Sequence, residues 1–592
     1  MSFTKTEFAV MDCIRQGSFA NQRELSSGSG ISLGGVNSIV RKLTAQGYLE
    51  KLSLTEAGLE ALLPYKVDNA VILAAGLSSR FAPISYEKPK GLLRVRGEVL
   101  IERQIKQLHD AGIDDITVVV GYKKEYFFYL ESKFGVSIVV NDDYASRNNH
   151  ASLMLVRDKL KNTYVCSSDD YFTENPFEPY VYKAYYAVQW AEGKTDEWCL
   201  SVGPRQRITG VSIGGEHAWY MLGQAYFDKA FSNRMVRILE EEYERPETID
   251  MLWEDLYKKH IDEFDMEIRP FPDGVINEFD SLDELSSFDP MFLDNVDSEI
   301  FDNIVRVLGC QRSEIHDVYP LKQGLTNLSC HFSTNSGEYV YRHPGVGTEL
   351  LIDRNGEVAA QTVAKELGID DTFIFEDPKK GWKISRFIKC CRNLNPHDCM
   401  ELSRAMDMGR RLHEEKMSLD RTFEFYEEAL RYKGLLLEKG PVDIPGFEEM
   451  SNQFDELGSY LLNDRAPKCL CHNDFFYLNF LIDENDKYYL IDWEYAGMGD
   501  YANDFGTFCV CCELSYEEAV SALAAYFGRE PTRAELVHNL AMVAMAGWCW
   551  YLWSLLKESE GDNVGEWLYI YFNYAKQYLS KALPMYREMG RD

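Results

Sequence analysis

Apolar residues near the start of the chain recur at helical spacing. Phe8, Met11 and Ile14 would share one face of a helix, and a second apolar face follows Ser32, a residue type typical of helix N-caps. That second face consists of Val36, Ile39, Val40 and Leu43. A shorter helix near residue 21, a two-stranded turn at residues 47–54 and a helix starting near residue 55 complete the pattern. The sequence therefore predicts a small helical domain over residues 1–66.

This domain resembles the winged helix-turn-helix of bacterial regulators over about residues 4–65. Residues 1–66 carry seven Lys/Arg and six Asp/Glu, whereas the whole chain has a formal charge of −33. The helix that begins at Ser32 would offer Ser32, Asn37, Ser38, Arg41 and Lys42 to base edges or phosphates. The resemblance implies a DNA-binding domain. A protein-contact or dimerisation module, as in a homodimer, is the alternative that the residues leave open.

An apolar strand beginning at Val71 runs into a loop of small residues that ends at Arg80. Such a loop lets backbone N–H groups approach phosphate oxygens, and a guanidinium can add a fork of donors. Lys90 supplies a second cation ten residues further on. An ordinary βα turn with exposed basic residues is the alternative, so the loop alone indicates a triphosphate site without establishing one.

Further apolar strands favour the triphosphate interpretation. They occupy residues 116–120, 137–140 and 164–167 and alternate with helical patterns at residues 101–111 and 124–134, which predicts an α/β sheet. Sites in such sheets lie at the carboxyl ends of the strands. Asp169 follows the last of these strands, and a carboxylate facing a triphosphate is the expected ligand for Mg²⁺.

Residues 73–80, with Pro89 and Lys90, resemble the nucleotidyltransferase signature L-A-A-G-x-G-x-R…P-K. More closely, four segments are similar to bacterial CTP:phosphocholine cytidylyltransferases. They are Asn141-Asp142-x-Tyr144, Asn148-Asn149-x-x-Ser152, Thr195-x-Glu197-Trp198 and Glu278-x-Asp280-Ser281. The resemblance spans roughly residues 66–285 and implies a Rossmann-like α/β domain that transfers CMP from CTP to phosphocholine. One departure is Ser78, where the signature usually has glycine, which matters if a positive φ is required there.

The same resemblance implies roles for individual residues. Lys90 and Arg80 would be the catalytic cations that hold the CTP phosphates, while Asp169 and Asp280 would hold Mg²⁺. Further nucleotide contacts are expected from Leu73, Ala74, Ala75, Gly76, Gly121, Tyr122, Asn141 and Ser152. A quaternary ammonium is held by aromatic faces and a nearby carboxylate, since it has no N–H to donate. The expected phosphocholine contacts are Trp198, Tyr226, Trp253 and Glu254.

A phosphoryl-transfer motif lies near residue 475. It reads His472-x-Asp474-x-x-x-x-Asn479, and Asp492 follows thirteen residues after Asn479. Phosphoryl transfer needs a base near the attacking hydroxyl and metal ligands that bridge the phosphates. The order predicts Asp474 as the catalytic base and Asn479 and Asp492 as Mg²⁺ ligands. His472 is expected to order the catalytic loop.

Segments upstream fit the same reaction. The loop containing Gly324, Thr326 and Asn327 lies between two strand-like runs and would cover ATP phosphates. Arg342 ends the second of these strands, and Glu357 on the following helix can pair with it. These residues complete the predicted nucleotide-binding set.

The stretch from about residue 313 to residue 583 resembles bacterial choline kinases. In this aminoglycoside phosphotransferase-like group, arginine often replaces the strand lysine of protein kinases. The resemblance implies a protein-kinase-like α+β domain that phosphorylates choline with ATP. Trp550 and Trp553 share a helix face and, with Glu494 and Tyr495, would box the trimethylammonium. A helix packed as core is the alternative for these rings.

Length and composition agree with a multidomain cytoplasmic enzyme. The chain has 592 residues, 27% of them charged, and its 14 cysteines are irregularly spaced, which favours reduced thiols. Residues 540–556 carry no charge, but the stretch is short and rich in tryptophan, so a buried helix is expected rather than membrane insertion. The acidic, proline-containing stretch at residues 283–298 marks a junction. The predicted domains are 1–66 (winged helix), 67–292 (cytidylyltransferase) and 293–592 (choline kinase-like).

The two catalytic domains would perform consecutive reactions. The kinase would make phosphocholine from choline and ATP, and the cytidylyltransferase would convert it with CTP into CDP-choline and pyrophosphate. Both reactions are in-line displacements at phosphorus. Two alternatives stay open. One is the same chemistry on ethanolamine or another amino alcohol, and the other is a choline-sensing regulator that acts on DNA through residues 1–66.

Overall fold

The computed structural model describes residues 3–321, 327–345, 352–561 and 563–589. It divides into two compact units, Met1–Pro320 and Leu321–Asp592. The predicted loop residues Gly324 and Thr326 lie outside the described residues. The stretch at residues 283–298 lies inside the first unit and is largely helical, so the compact units divide further along the chain than the predicted junction.

The first unit begins with three helices, a small hairpin and a fourth helix. The elements are α1 Lys5–Gln16, α2 Gln22–Ser29, α3 Leu33–Ala45, β1 Leu49–Glu50, β2 Ser53–Leu54 and α4 Glu56–Leu62. The Thr4 and Ser32 side chains accept N–H bonds at the starts of α1 and α3, which satisfies donors that a helix leaves open. Val10, Met11, Val36 and Leu43 fill the core between the helices, and other apolar residues join them. The hairpin is the wing that the sequence predicts.

A seven-stranded sheet forms the main body of the first unit. Its strands lie in the order β12-β10-β11-β8-β3-β6-β7. They are β3 Asn69–Ala74, β6 Ile116–Val120, β7 Ser137–Val140, β8 Thr163–Ser167, β10 Tyr185–Val202, β11 Ile208–Phe227 and β12 Glu267–Pro270. β8, β3, β6 and β7 are parallel, so their carboxyl ends meet at one edge.

Further helices and short strands complete this unit, and an apolar layer covers each face of the sheet. The helices are α5 Ile84–Glu87, α6 Leu100–Asp110, α7 Tyr129–Phe134, α8 Asn149–Leu155, α9 Lys229–Glu242, α10 Trp253–Lys259, α11 Leu282–Phe288, α12 Phe292–Asn295 and α13 Glu299–Leu308. The short strands are β4 Arg94–Val95, β5 Glu98–Val99, β9 Tyr171–Phe172, β13 Ile276–Asn277 and β14 His316–Pro320. Tyr65 of the small helical domain stacks on Tyr182 at 5.8 Å between ring centroids, so the two domains of this unit are packed together.

The second unit has an antiparallel sheet followed by a helical part. The sheet strands β15 Asn327–Thr334, β16 Gly337–Pro344, β18 Lys383–Arg386 and β17 Phe373–Glu376 are neighbours in this order. Helix α14 Arg354–Glu366 follows the second of these strands in the chain. The remaining strands are β19 Arg392–Asn393, β20 Lys468–Cys471, β21 Phe480–Ile482, β22 Tyr488–Leu490 and β23 Gly497–Asp500.

Within the described residues of the second unit, seven further helices build the core. They are α15 Cys399–His413, α16 Phe425–Lys439, α17 Phe447–Asp464, α18 Ala502–Cys511, α19 Tyr516–Phe527, α20 Arg533–Ser559 and α21 Trp567–Met589. Among the described helices, α20 is long and apolar enough to cross a membrane by length and composition. Its most apolar window is 94% buried inside the protein, which is the burial of a core helix.

Candidate active sites

The loop after β3 opens onto a cleft of about 220 Å³ at the carboxyl edge of the sheet. Ser78 in this loop has φ 52°, a left-handed conformation in which glycine is favoured, so the departure from the signature falls at a position that costs a non-glycine residue about 1 kcal/mol. The cleft is lined by eight of the predicted residues: Leu73, Ala74, Ala75, Gly76, Lys90, Asn141, Ser152 and Asp169.

Gly121 and Tyr122 support the cleft and do not line it. A Cβ on Gly121 would lie 2.8 Å from the carbonyl oxygen of Ala75, so only glycine fits this close approach. The Tyr122 N–H donates to the same carbonyl at 3.1 Å. The Asn141 side chain donates to Ser152 Oγ at 3.0 Å and is thereby held in the cleft wall.

Lys90 is a buried cation surrounded by carboxylates. Its Nζ lies 2.7 Å from Asp169 Oδ2 and donates to the carbonyl of Phe279. Burial lowers the pKa of Lys90, but Asp169, Glu278 and Asp280 outweigh burial, so the pKa is raised and the ammonium persists. Burial and the neighbouring Asp169 raise the pKa of Glu278 to about 8.

Arg80 and Asp280 meet at the outer part of the same site. Arg80 Nη1 donates to Asp280 Oδ1 at 2.6 Å, and both side chains are exposed. These two residues line a second cavity, which shares Lys90 and Asp169 with the first. The structure therefore brings together all four residues predicted for phosphate and metal binding in this domain.

Asp170 differs from its neighbour Asp169 in its surroundings. It is fully buried, and among the described residues neither of its carboxylate oxygens has a hydrogen-bond partner. Burial, reinforced by Glu278, raises the pKa of Asp170 well above its usual range, which favours the neutral acid. A Cβ on Gly223 would lie 2.6 Å from this carboxyl, so Gly223 makes room for it.

Of the residues predicted to hold phosphocholine, Trp198 and Trp253 belong to one apolar layer and Tyr226 to the other. Trp253 is buried and stacks on Tyr186, while Glu254 accepts from the Tyr186 hydroxyl at 3.1 Å and from Asn149 Nδ2 at 3.3 Å. Burial raises the pKa of Glu254 to about 7. Tyr186 was not predicted, since its strand pattern does not distinguish it from other core aromatics.

Tyr226 and Trp198 differ in their surroundings. Tyr226 has no exposed surface and packs against Tyr164 and Tyr185, which makes it a core residue rather than a cleft residue. Trp198 is partly buried against the second apolar layer, with Lys258 Nζ 5.9 Å from its ring centroid. The prediction for Tyr226 therefore does not agree with its position.

In the second unit, the catalytic loop after β20 is held by its own side chains and by α18. Asn479 Nδ2 donates to Asp474 Oδ2 at 2.8 Å, so the structure brings the predicted base and one predicted Mg²⁺ ligand together. Burial and the nearby Asp492 raise the pKa of Asp474 to about 8. The His472 ring bonds the carbonyl of Ile491 through Nε2 at 3.0 Å, and burial lowers its pKa, so it acts as a neutral support.

Asp504 anchors this loop and was not predicted. Its Oδ2 accepts the His472 N–H at 2.9 Å, and its Oδ1 accepts the Asn473 N–H at 2.6 Å. Asn473 has φ 67°, so the loop backbone is in a conformation that needs such external support. The one feature of the sequence that could have indicated this role is the position of a carboxylate within the apolar stretch of α18.

Glu357 is the centre of a buried cation cluster. Its carboxylate lies 2.6 Å from Arg342 Nη1, 2.9 Å from Arg354 Nη1 and 3.2 Å from Lys383 Nζ. Burial raises the pKa of Glu357, but Arg342 and Lys383 hold it well below its usual range. Arg342 Nη1 also lies 3.5 Å from Asp492, which joins the cluster to a predicted Mg²⁺ ligand.

The predicted choline box is only partly assembled. The rings of Tyr495 and Trp550 meet edge to face at 5.4 Å, and Trp553 meets Trp550 at 6.0 Å. Glu494 faces elsewhere, because Asn327 Nδ2 donates to it at 2.8 Å and Arg354 lies 4.0 Å away. Tyr571, a partly buried residue with Asp474 among the charges around it, was not predicted.

Comparison with known families agrees with this geometry. Residues 3–50 match the "Winged helix-turn-helix DNA-binding" family, residues 70–169 the "MobA-like NTP transferase domain" family and residues 317–537 the "Phosphotransferase enzyme family". The folds and the two sites thus define a chain that combines a nucleotidyltransferase with a kinase-like phosphotransferase. The predicted fold class and both enzyme classes are confirmed.

Individual relatives specify the kind of nucleotidyltransferase. Choline-phosphate cytidylyltransferase of Streptococcus pneumoniae is 35% identical over 215 residues, which cover 36% of this chain and 94% of the relative. 2-Aminoethylphosphonate cytidylyltransferase of Lancefieldella rimae is 35% identical over 225 residues, covering 37% of this chain and 92% of that one. The chain therefore belongs to the cytidylyltransferase family of these two relatives. The solved structure of choline kinase LicA from Streptococcus pneumoniae is 23% identical, with a TM-score of 0.42. The match covers 48% of this chain and 98% of the LicA chain.

Proposed function

We propose that this chain is a bifunctional enzyme of CDP-choline synthesis. It phosphorylates choline with ATP, and it then transfers CMP from CTP to the phosphocholine formed. The observation that carries the proposal is that one chain holds both the Asp474–Asn479 pair of a kinase and the Lys90–Asp169 pair of a nucleotidyltransferase. The product of the first reaction is the substrate of the second.

The kinase residues suit deprotonation of a hydroxyl. Asp474 would take the proton of the choline hydroxyl while the hydroxyl oxygen attacks the γ-phosphorus of ATP. The bond between this phosphorus and the bridging oxygen of ADP would break in the same step. Asn479 holds the carboxylate in place through its amide donor. Arg342, kept charged by Glu357, would bind the phosphates, as the corresponding cation does in kinases.

The nucleotidyltransferase residues suit charge stabilisation. A phosphocholine oxygen would attack the α-phosphorus of CTP, and pyrophosphate would leave. Lys90 and Arg80 would stabilise the charge that develops on the phosphoryl oxygens. The loop at residues 76–79 lines the cavity that contains Arg80, where its backbone N–H groups would bind phosphate oxygens.

Both sites fit Mg²⁺ by the chemistry of their donors. Asp169 and Asp280 offer carboxylate oxygens in the first site. In the second site, Asp492 offers a carboxylate. Asn479 donates its amide N–H₂ to Asp474, so the Oδ1 atom of Asn479 stays available as a metal ligand. Hard oxygen donors of this kind are those that Mg²⁺ prefers. When bound, the ion neutralises phosphate charge and orients the leaving group.

An assay of the purified chain tests the proposal. We expect phosphocholine from choline and ATP, CDP-choline and pyrophosphate from phosphocholine and CTP, and CDP-choline from choline when both nucleotides and Mg²⁺ are present. Reactions that lack one nucleotide are the controls. Absence of CDP-choline from the phosphocholine reaction, with a folded protein, would contradict the cytidylyltransferase half of the proposal.

A second candidate substrate is an amine without methyl groups. The identity to 2-aminoethylphosphonate cytidylyltransferase equals that to the choline-phosphate enzyme. The partly assembled aromatic box in the second unit would also accept a less methylated amine. The ratio of kcat/KM for phosphocholine, phosphoethanolamine and 2-aminoethylphosphonate under matched conditions decides between them.

Residues 1–66 would bind DNA upstream of the chain's own operon as part of a homodimer. Asn37, Ser38 and Arg41 are exposed along one side of α3, where a recognition helix meets base edges. We also infer a cytoplasmic location, since all 14 cysteines are free thiols. A gel-shift titration with the upstream fragment tests the DNA assignment, and a regulator that senses choline would bind it in a choline-dependent way.

A further inference from the structure

We propose that His413, Cys469 and Cys471 form a zinc site beside the catalytic loop of the second unit. One ligand atom from each of these side chains lies within 4.8 Å of the others. The two cysteines are two positions apart on β20, so their side chains share one face of the strand. Neither chemistry proposed above uses these groups.

The sulfur geometry fits a tetrahedral ion. Cys469 Sγ and Cys471 Sγ lie 3.7 Å apart. Two thiolates at the usual Zn–S distance of about 2.3 Å, with a tetrahedral angle between them, would be separated by about 3.8 Å. The pair is therefore spaced for one shared ion without movement of the strand.

The surroundings of His413 are those of a metal-binding imidazole. Its Nε2 lies 2.9 Å from Asp504 Oδ2, and since a carboxylate only accepts, Nε2 carries the proton. A metal-bound histidine commonly donates its other N–H to a carboxylate in this way. Nδ1 is bonded to the Tyr526 hydroxyl at 2.8 Å and would exchange this hydrogen bond for the bond to zinc.

An entry path and a fourth ligand are also available. Cys469 and His413 line a cavity of about 620 Å³, which contains room for a water molecule. Thiolate and imidazole ligands select Zn²⁺ over the Mg²⁺ of the catalytic sites, which prefers oxygen. Binding breaks two S–H bonds, forms two Zn–S bonds and one Zn–N bond, and releases two protons to solvent, with no change of oxidation state.

The site would act on the kinase through Asp504. Asp504 accepts hydrogen bonds from His413 and from the backbone N–H groups of His472 and Asn473. An ion that fixes the His413 ring therefore also fixes the carboxylate on which the catalytic loop rests. Cys471 directly precedes His472 in the chain, so a second connection runs through the backbone.

Metal analysis of the full chain tests the proposal. After incubation with Zn²⁺ and removal of free ion, we expect about one zinc per chain, falling below about 0.1 in Cys469→Ser and in Cys471→Ser. Cys399→Ser is the matched control, because Cys399 is an exposed thiol at the start of the same helix as His413. Zinc content that both cluster variants leave unchanged would overturn the site.

A second measurement keeps the test decisive if the variants do not fold. Wild-type protein loaded with Co²⁺ instead of Zn²⁺ should show thiolate-to-cobalt charge-transfer absorption in the near ultraviolet, together with tetrahedral ligand-field bands. X-ray absorption of the zinc form should show both sulfur and nitrogen neighbours. Cobalt or zinc bound by oxygen ligands only, or no bound ion in the folded wild type, would refute the proposal.

Discussion

Lys90 Nζ and Asp169 Oδ2 lie 2.7 Å apart at the carboxyl edge of the parallel strands. This pair joins the residue predicted to hold phosphate to the residue predicted to hold metal. We expect Lys90→Ala and Asp169→Ala each to slow CDP-choline formation from phosphocholine by at least about a hundredfold, since each removes charge stabilisation at the reacting phosphorus. Phosphorylation of choline should be unchanged, and the two rates are measured on the same preparations.

Lys88→Ala is the matched control for this prediction. Lys88 belongs to the same loop, but its Nζ lies 2.9 Å from Asp297 rather than in the cleft. We expect its cytidylyl transfer to stay within about twofold of the wild type, because surface ion pairs contribute little. Equal losses in Lys88→Ala and Lys90→Ala would mean that the loop fold, and not the Lys90 charge, determines the rate.

A substitution in the Asp474–Asn479 pair should affect the kinase reaction and not the cytidylyltransferase reaction. Asp474→Asn should abolish kinase turnover while cytidylyl transfer from added phosphocholine continues, because only the second unit contains this loop. Asp486→Asn is the control, since Asp486 is an exposed carboxylate on a nearby turn. A folded Asp474→Asn protein that loses both activities would contradict two independent sites.

The sequence predicted those features that depend on local spacing. Helix α3 begins directly after Ser32, and β6 and β7 have the bounds that their apolar runs indicated. The partnership of Arg342 with Glu357 followed from the order of strand and helix in kinases. Each of these features is set within one segment or by a known order of segments.

Features that depend on distant packing were not predictable. Lys383 on β18 also contacts Glu357, 26 residues earlier, and no sequence spacing relates these two residues, whereas Arg354 is the i,i+3 neighbour of Glu357 on α14. Tyr226 and Trp253 have the composition of a binding box but fill core positions, because an aromatic residue on a strand or helix looks alike in both roles. Asp504 anchors a loop some 30 residues earlier in the chain.

Asp504 provides a test of loop positioning. Asp504→Asn keeps the size but replaces one of the two acceptor oxygens by an N–H₂ group, which would face the backbone N–H of either His472 or Asn473. We expect kinase kcat to fall by about ten- to a hundredfold, or about 1.4–2.8 kcal/mol in activation free energy, with a smaller change in the KM for ATP. Asp455→Asn, on α17, is the control. A rise in KM with unchanged kcat would contradict the positioning role.

His538 predicts a pH dependence of stability in the second unit. It lies 2.8 Å from Asp464 and 3.0 Å from Asp500, with Tyr501 beside the ring and Glu535 one turn earlier. Burial lowers the pKa of His538, but hydrogen bonds to Asp464 and Asp500 outweigh it and raise the pKa to about 9.

Because the folded-state pKa exceeds that of the unfolded chain, the stabilisation is complete below about pH 6.5 and is lost as the pH rises through 9. His538→Gln should lower the free energy of unfolding at pH 6, and this difference from the wild type should shrink by up to about 3 kcal/mol between pH 6 and pH 9.5. Thermal unfolding at several pH values measures it, with the exposed His397→Gln as control. A pH-independent difference between wild type and His538→Gln would exclude the charged pair.

The last prediction concerns DNA binding by α3. Arg41 is exposed, whereas Lys42 forms an ion pair with Glu7, so Lys42 must give up this partner before it can contact a phosphate. We expect Arg41→Ala to weaken binding to the upstream fragment more than Lys42→Ala does, and to reduce the salt slope by about one. Few cations face the DNA, so useful affinity requires a dimer that reads two half-sites one helical turn apart. Anisotropy titrations at several salt concentrations measure both effects, with the exposed Lys229→Ala as control. If no fragment shows saturable binding at concentrations at which the chain dimerises, residues 1–66 serve as a protein-contact module instead.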